Sequence, residues 1–203
     1  MDYKVLEKDS IIGIILKDKL DYTGEEIEPL WAFKLFGVQK DSIIGFCGGI
    51  EVSIRNMKDL KDIKEENKYG DILIKSDYAI NFIVEHFDNP DLKLIYHRQR
   101  ILIFIVKNIL EELSGEKLIK KGDDLYYGKN KLSVSIASRG ASSSKIHLGI
   151  NITKEGTPEY LNISSLSDLN LVGKEYHIIE RTILEYISEI DKIERDIRKT
   201  LCL

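Results

Sequence analysis

Read for hydrophobic period, the chain alternates short apolar runs with stretches of helical spacing. Residues 11–16, Ile-Ile-Gly-Ile-Ile-Leu, predict a buried strand. Residues 29–38 carry Leu30, Trp31, Phe33, Leu35 and Phe36 behind Pro29, which suits the first turn of a short helix. Residues 41–46 and 50–54 predict two strands flanking Cys47-Gly48-Gly49, a glycine pair able to reverse the chain in a hairpin. Residues 57–69 are almost wholly charged apart from Leu60 and Ile63 and suit a solvated connecting segment. Ser76 and Asp77 then cap an expected helix that buries Ile80, Phe82, Ile83, Val84 and Phe87. Asn89-Pro90 ends it and starts a longer helix running to Leu113, with Gly115 where a glycine cap belongs.

The period then changes from helical to two. Lys120-Lys121-Gly122-Asp123-Asp124-Leu125-Tyr126-Tyr127 and Lys131 to Ser138 read as strands around a Gly128-Lys129-Asn130 turn. A loop at 139–144 follows, and a third strand at 145–152. Leu132, Val134 and Ile136 share one face, while Ser133, Ser135 and Ala137 share the other. This alternation predicts a greasy face for the sheet and a small polar face, extended by Ser138, for a pocket. Residues 174–201 place Ile178, Ile179, Ile183, Leu184, Ile187, Ile190 and Ile193 at helical spacing, an amphipathic helix packed on the domain or on a partner. Strands, helices, strands and a last helix make an α+β order with a mixed, mainly antiparallel sheet.

Composition narrows the classes. With 203 residues, 43% hydrophobic and 32% charged, the chain reads as one globular domain over 1–203. Its net charge of -4 offers no bulk attraction to polyanions, so there is no strong nucleic-acid signal. Cys47 and Cys202, far apart, suit a reducing compartment. The first residues lack a basic start followed by an apolar stretch, and no apolar run approaches the roughly 20 residues of a membrane span. The expectation is a cytoplasmic protein without membrane contact, taking a small-molecule ligand, with a homodimer left open.

The order Lys121, Asp124, Lys131 and then Gly149-Ile150-Asn151 resembles the core of biotin and lipoate protein ligases, which share a fold with class II aminoacyl-tRNA synthetases. In those ligases a Lys-x-Asn-Asp strand leads to a turn, a strand opening with a catalytic lysine, and a Gly-Ile-Asn strand. Tyr22-Thr23-Gly24, Phe82-Ile83-Val84-Glu85-His86-Phe87, Arg98-Gln99-Arg100 and the 133–151 block together resemble DUF366, a mainly archaeal family grouped with the ligase fold. The resemblance implies Lys131 as the catalytic cation and Asp124 as the group that orients a ligand amine or a metal. It also implies Lys121, Ser133, Ser135 and Asn151 as ligand-binding residues, and ATP with Mg as cofactors of an acyl-adenylate-forming enzyme. Such chemistry builds negative charge, which a fixed cation stabilises.

The chain also departs from that pattern. Where the ligases carry an arginine-rich loop, it offers Phe46-Cys47-Gly48-Gly49-Ile50, with Arg55 the nearest arginine. Val134 stands where a glycine normally follows the lysine. The reading is therefore a protein that binds a nucleotide, an adenylate or a small carboxylate, with a non-catalytic interaction module as the alternative. Arg98 and Arg100 form a candidate anion site, or else pair with acidic neighbours. Lys131 taken alone is an ordinary solvated lysine beside a turn. His97 and His147 are candidate general bases or structural histidines, and Cys47 suits a small buried residue. No His or Cys spacing indicates a metal site.

Overall fold

The computed structural model describes residues 1–8, 11–60, 62–64, 74–88, 90–158 and 161–201. Six strands form one sheet in the order β1 (Tyr3–Glu7), β2 (Ile11–Leu16), β3 (Asp41–Glu51), β4 (Lys75–His86), β9 (Ser144–Asn151) and β8 (Ser133–Arg139). Neighbours pair antiparallel except β2 and β3, which run parallel. The sheet is thus mixed and mainly antiparallel, as the order of elements implied. A second antiparallel sheet holds β5 (Leu118–Lys121), β6 (Asp124–Tyr127) and β7 (Asn130–Lys131).

The helices α1 (Trp31–Phe36), α2 (Leu92–Ser114) and α3 (Glu175–Arg198) accompany the sheets. Asp91 caps α2 by accepting from the Leu94 N–H at 2.6 Å, and Gly115 closes it in the left-handed conformation, φ 76°. α3 buries Ile178, Ile179, Ile183, Tyr186, Ile187 and Ile190, each contributing roughly 1.5–3 kcal/mol before entropy is counted. Together α2 and α3 cover one face of the large sheet. The other face carries a second core built from Tyr22, Ile27, Ala32, Val52 and Met57. Among the described residues no helix is long and apolar enough to cross a membrane.

Two sequence expectations are overturned. The helix expected from Ser76 through Phe87 is a strand, β4, with Phe87 just past its end. β4 is covered on both faces: Ile80, Phe82 and Val84 join the core under α2 and α3, while Ala79 and Ile83 join the opposite core. A strand buried on both sides loses its alternation and becomes a continuous apolar run, which a helix also produces. The hairpin expected at Cys47-Gly48-Gly49 does not form, because β3 runs through these residues with a register shift between Gly48 and Ile50.

The glycines serve a different purpose there. Leu20 N–H donates to Cys47 O at 3.1 Å, Tyr22 N–H to Gly49 O at 2.9 Å and Glu51 N–H to Tyr22 O at 3.0 Å. The 20–22 segment therefore runs along β3 where β2 has ended. A Cβ on Gly48 would stand 1.9 Å from Leu20 O, so only glycine admits this approach. Of the charged stretch at 57–69, residues 61 and 65–69 lie outside the described residues, while Met57 is buried and Leu60 exposed.

Candidate functional site

The face of the sheet opposite α2 and α3 holds a cavity of about 180 Å³. Its apolar walls come from Ile50 of β3, Ile74, Val134 of β8, Leu161 and Ile163. Lys131, Asn151, Lys75 and Ser76 supply polar groups, and Asp62 also borders the space. Local structure sets the position of Lys131. Its N–H donates to Asn162 O and its C=O accepts from Ser164 N–H, both at 2.8 Å, so β7 is pinned against the 162–164 segment.

The Lys131 ammonium lies 2.9 Å from Asp124 Oδ2 on the neighbouring strand β6. Burial alone would favour the neutral amine, but the Asp124 carboxylate outweighs it and holds the lysine pKa above its ordinary value. Lys131 is therefore a protonated, half-buried cation. Of its three donors, Asp124 engages one. Asn151 closes β9 at the same cavity, and its Nδ2 donates to Ser164 O at 3.3 Å.

The other expected site residues lie elsewhere or are committed. The faces of β8 are reversed relative to the sequence reading: Val134 and Ile136 pack on the open side, and Ala137 joins the helix-side core. Ser133 Oγ accepts from Leu125 N–H at 2.9 Å, and Ser135 Oγ accepts from Gln99 Nε2 at 2.8 Å while donating to His147 O at 2.7 Å. Both serines border cavities, yet their hydroxyls serve the scaffold. Lys121 stacks over the Tyr126 ring, its Nζ 5.0 Å from the centroid. It does not line the cavity.

The structure separates Arg98 from Arg100. Arg98 is buried and grips Asp88 with two bonds of 2.8 and 2.6 Å, which hold the Asp88 carboxyl below its ordinary range. Arg100 bonds Gln99 Oε1 at 2.8 Å and faces Asp123 at 3.8 Å. Residues two apart on a helix do not share a face, so the two guanidinium groups form no common anion site. His97 Nδ1 donates back to Lys93 O within its own helix.

His147 is buried and stacked on Tyr22, and burial pushes its pKa down to about 3. It lines a second, smaller cavity of about 30 Å³ that shares Asp62, Ile74 and Val134 with the first. Burial pushes the Cys47 thiol up to about 12, which leaves it unreactive. Asp41, His86 and Asp88 cluster closely enough to suggest a metal. Their atoms are already engaged, however: His86 Nδ1 meets Asp41 at 2.6 Å, His86 Nε2 meets Tyr186 at 2.9 Å, and Arg98 takes both Asp88 oxygens.

The sequence pattern places Ser76 at a helix start and does not single out Lys75, nor Thr157, Pro158, Leu161 and Ile163, which wall the cavity. It also placed the loop counterpart at Phe46 to Ile50, which is the middle of β3. The connection that follows β2 is 17–40, which holds lysines but no arginine.

The family model described as "Domain of unknown function (DUF366)" matches residues 11–201. An uncharacterized protein of Methanocaldococcus jannaschii is 54% identical, with 100% of this chain aligned to 90% of that protein. A protein of unknown function from Pyrococcus horikoshi superposes with a TM-score of 0.86 at 31% identity, covering 96% of this chain and 100% of that one. The biotin protein ligase of Aquifex aeolicus, solved with biotin and ATP, superposes with a TM-score of 0.54 at 17% identity, covering 90% and 70%. A putative lipoate protein ligase from T. acidophilum with bound lipoic acid reaches 0.53 at 13% identity, covering 86% and 85%. The last two establish a ligase-like fold.

Proposed function

Since this chain belongs to the DUF366 family, which carries no assigned activity, we propose its function from the cavity itself: it binds a small carboxylic acid whose apolar body lies against Val134, Ile50 and Ile163 and whose carboxylate meets Lys131. The observation that carries this reading is a half-buried ammonium, held protonated by Asp124, on the wall of a cavity that also presents Ile50, Ile74, Val134, Leu161 and Ile163. A charge-assisted bond from such a cation to a carboxylate contributes about 1.5–3 kcal/mol.

Size favours an acid over a nucleotide. The cavity of about 180 Å³ falls below the roughly 300–1,000 Å³ that drug-sized ligands occupy. The Aquifex aeolicus ligase structure holds biotin and ATP and the lipoate ligase structure lipoic acid; biotin and lipoic acid are carboxylic acids with apolar chains.

Thermal melting in the presence of hexanoate, octanoate, lipoate, biotin, AMP or ATP tests the reading, because a ligand that binds only the folded state raises the melting temperature. At least one carboxylic acid raises it at millimolar concentration, and Lys131→Met weakens that acid by about tenfold or more. Failure of every acid to shift the melting point overturns the proposal, as does undiminished binding by Lys131→Met. A response to AMP and ATP alone reassigns the cavity to a nucleotide.

A further inference from the structure

Lys131 shares its cavity with a second cation. Lys75, the first residue of β4, lines the same space. The two lysines differ in how firmly they are held: Lys131 sits 2.9 Å from Asp124, whereas Lys75 is 3.6 Å from Glu51, itself 60% exposed. The second distance exceeds that of a charge-assisted hydrogen bond, about 2.7–2.9 Å. Among the described residues no carboxylate lies within that shorter distance of the Lys75 ammonium. Asp62 is the remaining charged group on the described lining, and Asp124 and Glu51 stand beside the two lysines.

Lys75 also marks an electrostatic boundary. An adjoining open cleft shares Ile50, Lys75 and Ser76 with the cavity, and its other charged lining groups are Asp21, Glu51 and Asp77. These carboxylates disfavour an anion on the far side of Lys75.

We propose that the natural ligand is a dianion: a short acyl chain with a carboxylate at Lys131 and a second anionic group, carboxylate or phosphate, at Lys75. This rests on Lys131 binding a carboxylate, as proposed above, and it adds a constraint on both the length and the far end of the ligand. The apolar side chains of Ile50, Ile74 and Val134 suit the methylene spacer. The carboxylate cleft beyond Lys75 excludes a longer acid that would carry its charge past that residue.

Titration calorimetry on the full chain with succinate, adipate and suberate, each against butyrate, hexanoate or octanoate of the same length, tests this. A third set, ω-phosphono acids of those lengths, distinguishes the two kinds of second anion. One diacid or phosphono acid binds about fivefold tighter than its monocarboxylate, the equivalent of about 1 kcal/mol for an ion pair at a cavity rim. In Lys75→Met, checked for an unaltered circular dichroism spectrum, that ratio falls to about one. A phosphono acid stronger than every diacid identifies the second group as phosphate. Equal affinity for diacid and monoacid in the wild-type protein overturns the dianion while leaving the carboxylate site standing, and so does a ratio that survives Lys75→Met. If no acid binds the wild-type protein, both readings fall.

Discussion

His147 lies face to face with Tyr22, ring centroids 3.4 Å apart and planes 10° from parallel. Its Nε2 meets Asn81 Oδ1 at 2.9 Å, and Asn81 Nδ2 donates to Gly48 O at 3.5 Å. The amide is therefore oriented with its oxygen toward the ring, so Nε2 carries the proton and the imidazole is neutral. Burial holds its folded pKa near 3, below the value of about 6.5 it takes when unfolded. Between these values the unfolded chain binds the extra proton, so stability is full above about pH 6.5 and is lost as pH falls toward 3. Denaturant unfolding between pH 4 and 7 reads this as a slope, to which His147 contributes up to about 1.4 kcal/mol per pH unit. His147→Gln removes that contribution; an unchanged slope in the variant would show that other groups set the acid response. At this scale the sequence left His147 open between general base and structural histidine, because nothing local indicates which side chain will cover an imidazole.

At the scale of elements, β3 and β4 carry the main lessons. Gly48 faces the backbone of Leu20 at a separation that no Cβ fits, whereas a Cβ on Gly49 would be 3.2 Å from Asp21 Oδ1, the end of a side chain able to move. Gly48→Ala therefore costs at least about 2 kcal/mol in chemical unfolding, and Gly49→Ala costs less. Equal small losses would contradict the close approach of the 20–22 segment. Turn glycines and close-approach glycines look alike in a sequence, and local pattern alone points to the former here. α2 was legible because its signals are local: a cap residue, a 3.6 period and a terminal glycine. β4 was not, because its spacing satisfied a helical template as well as a buried strand.

Across the whole molecule, burial grades from the middle of the large sheet to its β1 edge. β4 lies between β3 and β9 with nearly every residue buried after Tyr78, while β1 is exposed along most of its length. Glu85 of β4 and Lys145 of β9 even form an ion pair with both side chains buried, at 3.0 Å. Hydrogen exchange should follow this grading. Amides of β3, β4 and β9 exchange at the global unfolding limit, and those of β1 exchange at least about tenfold faster through local opening. Uniform protection across all six strands would contradict it.

The long α2, the amphipathic α3 and the strands around the Gly128 turn were readable from the chain. Each depends on periods, caps or turn residues within a few tens of residues. Tertiary structure alone decided that β4 is a strand, since its identity depends on layers packed over both of its faces. It also decided which face of β8 turns outward, because alternation separates two faces without saying which one the helices cover. Only the fold brought Lys75 to the cavity of Lys131, from a strand that pairs with β3 and β9 rather than with any neighbour in sequence. Contacts between residues far apart in the chain leave little trace in local pattern, and this candidate site is built from such contacts.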